Sequence, residues 1–261
     1  MTDLYWETHP GDGPPMLLVH GFLSSRAQWL LNLEALGRVC TPVVVELWGH
    51  GRSPSPEDDY LYTPAGYTEA FEAIRTALGV ERWLVCGYSL GAGLTIGYAL
   101  SHPERIIAQV FTNSTSGFAD DDQIDAWRAS AAKSSQNIIE RGLDAIERIP
   151  VHPRFARRLP EVVKAPLIAD AAMIEPHGIA RTLLHTNPRV SVRNRVFENS
   201  VPALLTCGSN ERRFQSHRDF AATHMPELEI VDLDAGHAVN IEASDAFNAA
   251  VTAFVVRHVA G

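Results

Sequence analysis

Residues 87–91 read Gly87-Tyr88-Ser89-Leu90-Gly91 and fit the G-x-S-x-G pattern, in which a serine stands on a sharp turn between a strand and a helix. The apolar run 83–86 before the pattern has strand character, and residues 92–100 after it resemble a helix that Pro103 ends. Glycine two positions away on either side leaves room for the turn. The helix that begins there directs N–H groups at the serine oxygen. Ser89 is therefore a candidate nucleophile.

Apolar runs of strand length alternate with helical patterns along the chain. The expected strands are residues 16–19, 42–47, 83–86, 106–112, 203–207 and 228–233. Most of them are nearly continuous in Val, Ile and Leu, which is typical of parallel strands covered on both faces. Helical patterns include residues 63–78 and 244–258. This alternation predicts an α/β fold with a doubly wound, mostly parallel sheet.

Residues 118–198 break this alternation, since they carry helical stripes and frequent prolines but no strand pattern. We predict that they form a mostly helical cap, or lid, over the carboxyl edge of the sheet. Residues 1–117 and 199–261 would then form the core. The acidic triplet Asp120-Asp121-Asp122 fits the start of a helix better than a cation site.

Composition limits the classes of partner. The chain has 261 residues and a net charge of −9, which argues against nucleic acid and anionic membrane surfaces as partners. No apolar run approaches the roughly 18 residues that a membrane span needs. The first seven residues lack the basic and apolar regions of a signal peptide. We therefore expect a cytoplasmic protein that acts on a small molecule.

Metal and redox chemistry have little support in the sequence. Cys40, Cys86 and Cys207 lie in or beside apolar runs, which indicates buried, reduced thiols rather than a zinc or redox motif. No pair of histidines has the i, i+4 spacing of zinc ligands with a nearby glutamate. We expect neither a metal nor another cofactor.

A serine hydroxyl needs a base to become a nucleophile at neutral pH, and the base needs an acid to orient it. His237 is the candidate base because it follows the strand at 228–233 directly. The other ten histidines are weaker candidates. Two of them, His20 and His50, lie in glycine-flanked loops, where organising the backbone is a sufficient role.

Glu211 is the candidate acid because it is the only carboxylate in the loop after the strand at 203–207. A surface salt bridge with Arg212 or Arg213 is the alternative role for this side chain. The other strand end that could supply an acid is followed by Asn113-Ser114-Thr115, which contains no carboxylate.

An acyl-transfer site also needs donors for the oxyanion. Phe22 follows the first clear strand, so its N–H can point at the same space as the N–H of Leu90. These two backbone groups are the candidate oxyanion hole. We expect the side chains of Phe22, Asn113 and Trp127 to line the substrate pocket.

Taken together, these motifs resemble the α/β-hydrolase fold family. The motifs that fall in the family's order are His20-Gly21-Phe22, Trp29, Gly49-His50-Gly51-Arg52-Ser53, the Ser89 turn, the Gly208 loop and Gly236-His237. The resemblance covers nearly the whole chain and implies a serine nucleophile and a variable cap at 118–198. Two positions depart from the family, since Glu46 and Glu211 stand where aspartate is usual.

The resemblance also limits the activity. The Ser89 turn and the Gly208 loop are similar to those of the pyruvate-eliminating synthase of menaquinone biosynthesis, but that enzyme has an arginine where this chain has Ala92-Gly93. We therefore do not expect this synthase activity. Serine rather than aspartate at position 89 argues against haloalkane dehalogenase and epoxide hydrolase activity.

Three functions remain open. The leading hypothesis is a cofactor-free serine hydrolase that cleaves a small carboxylic ester, lactone or thioester through an acyl-enzyme. The second is a C–C bond hydrolase of a vinylogous diketone, for which Arg154, Arg157 and Arg158 could bind an acid group, although a solvated helix face also explains them. The third is a ligand receptor or carrier, which the complete set of candidate catalytic residues disfavours.

Overall fold

A seven-stranded sheet is the centre of residues 3–259, which the computed structural model describes. The strands are β1 (Trp6–Thr8), β2 (Pro15–Val19), β3 (Thr41–Val45), β4 (Trp83–Gly87), β5 (Ile106–Thr112), β6 (Ala203–Gly208) and β7 (Leu228–Leu233). Their order across the sheet is β1-β3-β2-β4-β5-β6-β7. Only β1 is antiparallel to its neighbour, and all other pairs are parallel. The predicted doubly wound, mostly parallel sheet is therefore confirmed.

Helices connect the strands and pack against the sheet. The α-helices are α1 (Leu33–Leu36), α2 (Pro64–Ala77), α3 (Leu90–Ser101), α4 (Asp121–Arg141), α5 (Leu143–Ile146), α6 (Glu161–Ala171), α7 (Pro176–Arg181), α8 (Gln215–His224), α9 (Val239–Glu242) and α10 (Ser244–Val259). Short 3-10 turns cover Arg26–Trp29, Asp59–Tyr62, Pro103–Arg105, Pro153–Phe155 and Val196–Glu198, and a π-helical turn covers Thr182–Thr186.

The topology decides where a site can form. β3 lies beside β2 in one direction across the sheet, and β4 lies beside β2 in the other direction, so the strand order reverses at β2. Connections that diverge in this way leave a crevice at the carboxyl ends of the strands, which is where ligands bind in open α/β sheets. The loops after β2, β4, β5, β6 and β7 all begin at this edge.

The strand predictions differ little from the structure. β5 and β7 have the predicted bounds, and the other four predicted strands agree to within two residues. β1 was not predicted because it is a three-residue edge strand without an apolar run. β1 lies at the edge of the sheet and pairs with β3 alone, so it does not need the continuous Val and Ile of the central strands, which are covered on both faces.

Within the described residues, the connection from β5 to β6 contains helices and no strand. Asp120 precedes α4 and forms a capping box with Gln123. The Asp120 carboxylate accepts from the N–H of Gln123, and the Gln123 side-chain oxygen accepts from the N–H of Asp120. The interpretation of the acidic triplet as a helix start is thus confirmed. The division of the chain into a core and a cap at 118–198 stays a prediction, and we call residues 118–198 the inserted segment.

The inserted segment is held to the loops of the sheet edge by buried polar contacts. The Asp170 carboxylate accepts from Ser25 Oγ at 2.7 Å and from Arg52 Nη2 at 3.0 Å. Gly49 and Gly178 are in direct backbone contact, because a β-carbon added at Gly49 would lie 2.7 Å from the Cα of Gly178. These contacts fix the inserted segment above the carboxyl edge.

Composition-based expectations can also be compared with the structure. Cys40, Cys86 and Cys207 are buried free cysteines, as predicted. Burial raises the pKa of Cys40 to about 12 and that of Cys207 to about 11, so both stay thiols at neutral pH. Among residues 3–259, none of the helices combines the length and the apolar character that crossing a membrane requires.

Candidate active site

Ser89 stands between β4 and α3 in a backbone conformation that few non-glycine residues adopt, with φ of 53° and ψ of −115°. The flanking glycines make this turn possible. A β-carbon added at Gly87 would lie 2.5 Å from the Cα of Ala92, and one added at Gly91 would lie 2.5 Å from the carbonyl oxygen of His20. The spacing of the sequence pattern is therefore a steric requirement of the turn.

The structure brings Ser89, His237 and Glu211 together in one hydrogen-bonded chain. His237 Nε2 lies 2.9 Å from Ser89 Oγ, and His237 Nδ1 lies 3.0 Å from both carboxylate oxygens of Glu211. A carboxylate can only accept, so Nδ1–H of the neutral imidazole donates to Glu211. Nε2 is then free to accept the Ser89 hydroxyl proton. This is the arrangement that general-base activation of a serine requires.

Glu211 is oriented by a residue that the sequence analysis gave a different role. Asn113, at the end of β5, donates from Nδ2 to Glu211 Oε2 at 2.7 Å, and its Oδ1 accepts from the N–H of Gly208 at 2.9 Å. Burial raises the pKa of Glu211, but the hydrogen bonds from His237 and Asn113 outweigh burial and hold this pKa below its ordinary value. Within the described residues, Glu211 makes no salt bridge with Arg212 or Arg213.

The loop that carries His237 is itself held by Glu242 on α9. The Glu242 carboxylate accepts from the N–H of Gly236 at 3.0 Å and from the N–H of Ala238 at 3.3 Å. The ring of Tyr88 packs 5.3 Å from the imidazole, measured between centroids. The sequence analysis missed Glu242. A carboxylate a few residues after the candidate base, at the start of the last helical region, was the only available signal.

The candidate oxyanion donors, the N–H groups of Phe22 and Leu90, have no acceptor among residues 3–259. Leu90 is the first residue of α3, so its N–H has no acceptor in the helix. The N–H groups of Leu23 and Ser24 donate to His50 and Gly21, whereas the N–H of Phe22 has no acceptor among residues 3–259. Gly21 lies against the nucleophile, because a β-carbon added there would be 2.9 Å from Ser89 Cβ.

His20 and His50 organise the loops beneath this site, as predicted. The Nε2 of His20 accepts from the N–H of Leu47 at 3.1 Å, and the Nε2 of His50 accepts from the N–H of Leu23 at 3.2 Å. Burial lowers the pKa of His20 to about 3 and that of His50 to about 4. Both rings are therefore neutral at pH 7 and can accept these backbone hydrogen bonds.

A cavity of about 470 Å³ opens over Ser89 and His237. Phe22 and Leu23 line it from the loop after β2. Its opposite wall belongs to the inserted segment and includes apolar side chains such as Leu159 and Leu167. A mostly apolar cavity with a few convergent polar groups is typical of a small-molecule site.

Two of the three predicted pocket residues do not line this cavity. Phe22 does, but Asn113 lies buried beneath Glu211, and its amide is used by that carboxylate and by the Gly208 loop. Trp127 is half-buried on α4, which packs against α7, whereas residues 150–159 and α6 form the cavity wall. The predictions for Asn113 and Trp127 as pocket residues are therefore wrong.

The cavity offers charged groups but no metal site. Among residues 3–259, no three His, Cys, Asp or Glu side chains are arranged to hold a metal ion. The charged residues that line the cavity are Arg157, Arg158 and Glu242. Arg157 and Arg158 lie in the loop after a 3-10 turn and not on a helix, and both are exposed to solvent, so only the helical part of the alternative explanation is wrong.

Comparisons with known proteins agree with this fold. Residues 14–141 match the family model described as alpha/beta hydrolase fold. MenH from S. aureus superposes on this chain with a TM-score of 0.83 at 17% identity, covering 99% of both chains. The family match and this superposition show that the chain has the α/β-hydrolase fold.

Two relatives from Bacillus subtilis (strain 168) extend over most of the chain. The "Putative 2-succinyl-6-hydroxy-2,4-cyclohexadiene-1-carboxylate synthase" is 26% identical and covers 94% of this chain and 92% of its own length. Carboxylesterase YbfK is 25% identical and covers 94% of this chain and 81% of its own length. Relatives of such different names share this scaffold, so the particular reaction has to be argued from the site.

Proposed function

We propose that the protein is a serine hydrolase that cleaves a small carboxylic ester, lactone or thioester through an acyl-enzyme. The single observation that carries this proposal is the continuous hydrogen-bonded chain from Ser89 through His237 to Glu211, at the base of a mostly apolar cavity. The 25% identity to a carboxylesterase over most of the chain supports the same reaction class.

In the first half of the reaction, Ser89 Oγ attacks the substrate carbonyl while His237 Nε2 takes the hydroxyl proton. Glu211 keeps the proton of Nδ1 in place and stabilises the imidazolium that forms. The oxyanion of the tetrahedral intermediate accepts from the N–H groups of Phe22 and Leu90. Loss of one donor from such a hole costs about 2.7–4 kcal/mol in transition-state stabilisation.

In the second half, His237 returns its proton to the departing alcohol or thiol, and Ser89 remains acylated. Water then attacks the acyl-enzyme with His237 again as general base, which releases the acid and restores the Ser89 hydroxyl. Neither half requires a metal or an organic cofactor.

We do not extend the synthase activity named for one relative to this chain. The arginine expected after the serine turn has no counterpart, because positions 92 and 93 are alanine and glycine. Position 93 has little room for a larger residue, since a β-carbon added at Gly93 would lie 2.8 Å from Val190 Cγ2.

C–C bond hydrolysis of a vinylogous diketone is a second candidate function. The observation that favours it is the presence of Arg157 and Arg158 in the cavity lining, where a guanidinium can bind the acid group of such a substrate. Product analysis with a ring-cleavage dienoate distinguishes it from ester hydrolysis, because C–C cleavage releases two fragments that the ester route cannot form.

Intact mass after incubation with a fluorophosphonate tests the proposed nucleophile. We expect one adduct on the wild-type protein and none on Ser89→Ala. Ser24 also lines the cavity, so Ser24→Ala is a matched control that should retain the adduct. A folded wild-type protein without an adduct would contradict the proposal and favour a ligand receptor or carrier.

A further inference from the structure

The wall that the inserted segment contributes to the cavity is polar at one place. His152, Arg157 and Arg158 lie within seven residues of one another and all line the cavity, while their neighbours in the lining are apolar. None of the three has a role in the proposed acyl transfer. They are therefore available to bind another part of the substrate.

His152 supplies a neutral donor. Its Nδ1 accepts from the N–H of Arg154 at 3.2 Å, so the proton of the neutral ring is on Nε2. Burial lowers the pKa of His152, which keeps the ring neutral at pH 7. The residue is only 6% exposed, yet Nε2–H has no partner among residues 3–259 and is not sealed from solvent. The cavity is the space into which this group can donate.

The two arginines have unused donors. Arg157 makes no ion pair or hydrogen bond among residues 3–259. Arg158 Nη1 lies 3.7 Å from Glu242 Oε2, the one carboxylate that lines the cavity, and Glu242 already accepts from two backbone N–H groups. Arg154 is different, because its guanidinium is paired with Glu147 at 2.6 Å and does not line the cavity.

We propose that His152, Arg157 and Arg158 form a carboxylate-binding subsite, so that the preferred substrates are esters, lactones or thioesters that carry a second, free carboxylate. This inference rests on the proposed hydrolase function for the bond that is cleaved. A guanidinium matches the planar geometry of a carboxylate and can bind both of its oxygens. A chain with a net charge of −9 would otherwise repel an anionic substrate. Arg157 and Arg158 together outweigh Glu242, the one carboxylate in the lining, so the cavity wall offsets that repulsion locally.

A pair of activated esters tests the preference. p-Nitrophenyl hydrogen pimelate carries the free carboxylate, and p-nitrophenyl 7-methyloctanoate replaces it with an isopropyl group of similar shape. We expect the wild-type kcat/KM to favour the pimelate ester about tenfold or more, as charge-assisted hydrogen bonds would give. The ratio should fall close to one in the Arg157→Ala/Arg158→Ala variant and by a smaller factor in His152→Phe.

Arg154→Ala is the matched control, because it removes a nearby arginine that is paired outside the cavity, and it should keep the wild-type ratio. A wild-type ratio of one or less would overturn the subsite. So would a high ratio that survives the double substitution, or a loss of the ratio in Arg154→Ala as large as that in the double variant.

Calorimetry with monomethyl pimelate on the Ser89→Ala protein separates this proposal from the proposed hydrolase function. Binding that is lost in Ser89→Ala/Arg157→Ala/Arg158→Ala supports the subsite even if the wild-type enzyme hydrolyses neither ester, in which case the hydrolase proposal alone has failed. Absence of binding to folded Ser89→Ala overturns the subsite, whatever the wild-type enzyme does with the esters.

Discussion

Asn113 provides a sharp test of how the acid of the candidate triad is held. Its amide joins the ends of two parallel strands, because it donates to Glu211 Oε2 at 2.7 Å and to the Gly208 carbonyl at 3.2 Å and accepts from the Gly208 N–H at 2.9 Å. Asn113→Ala removes all three hydrogen bonds and leaves the carboxylate with the imidazole as its remaining side-chain partner.

The magnitude follows from these contacts. A hydrogen bond to a charged group contributes roughly 1.5–3 kcal/mol, and the paired bonds to Gly208 contribute about 1 kcal/mol each. The free energy of unfolding should therefore fall by about 3.5–5 kcal/mol. If the charged bond also fixes the carboxylate in the transition state, kcat should fall roughly 10- to 100-fold.

The assay is steady-state hydrolysis of a neutral p-nitrophenyl ester, together with urea unfolding of the same preparations. KM should change little, because Asn113 does not line the cavity. Asn210→Ala is the matched control, since Asn210 is an exposed asparagine on the Glu211 loop whose amide donates to Asp234 and not to the triad. It should leave kcat within about twofold of the wild type.

Asn113→Asp sharpens the test, because it keeps the shape of the side chain and replaces the donor with a second carboxylate. Two carboxylates at this distance cannot both be ionised without a large cost, so one of them should hold a proton at neutral pH. We expect a larger loss of kcat than in Asn113→Ala. A folded Asn113→Ala protein with wild-type kcat would refute the reasoning that Asn113 positions Glu211.

Three further predictions concern the same edge of the sheet. Gly21→Ala should lower kcat/KM by roughly tenfold or more with little loss of folding, because the added methyl would press on Ser89 at 2.9 Å, and ester kinetics with circular dichroism check it. His20 and His50 are neutral in the folded protein and protonate near pH 6.5 in the unfolded chain, so the free energy of unfolding should fall as pH drops below about 6.5. The two residues together should contribute up to roughly 2.7 kcal/mol per pH unit. Urea unfolding at several pH values should show a smaller pH dependence in His50→Gln. The pKa of Glu211 in the folded protein lies below its ordinary value, so the carboxylate stabilises the fold above its unfolded pKa of about 4.5, and this contribution is lost as pH falls through the folded pKa. Glu211→Gln should remove this pH dependence of stability and lower kcat by roughly a thousandfold. An unchanged kcat would contradict the role of Glu211 as the acid.

The sequence predicted the parts of the site that depend on local chain geometry. The turn at Ser89 needs glycines at fixed positions, so its pattern could be recognised without any knowledge of neighbours. His237 and Glu211 could be found because each follows a strongly apolar strand, and the ends of parallel strands meet at one edge. The continuous apolar runs thus predicted where the strands end, at the carboxyl edge of the sheet. The chemistry of the residues that follow each strand then indicated the candidate base and acid.

Roles that depend on which strands are adjacent could not be obtained in the same way. Asn113 follows β5, and its partner Glu211 follows β6, 98 positions later in the chain. The pairing of these two strands decides whether Asn113 faces a substrate or a carboxylate, and strand order is not encoded in the periodicity of either strand. The same limit applies to Glu242. This residue holds the His237 loop only because the loop lies against α9, the helix that carries Glu242.

The placement of the inserted segment explains why Trp127 was assigned to the wrong surface. A helical stripe predicts that one face of α4 is buried, but it does not say against what. Two contacts decide where the inserted segment lies. The buried Asp170 carboxylate needs hydrogen-bond partners, and Ser25 and Arg52 at the sheet edge provide them. The backbones of Gly49 and Gly178 are also in close contact. These contacts set α6 and the loop at 150–159 over Ser89, while α4 packs against α7. One wall of the cavity over Ser89 therefore belongs to a segment that a few long-range contacts hold in place, and these contacts are the ones to change when a different cavity is wanted.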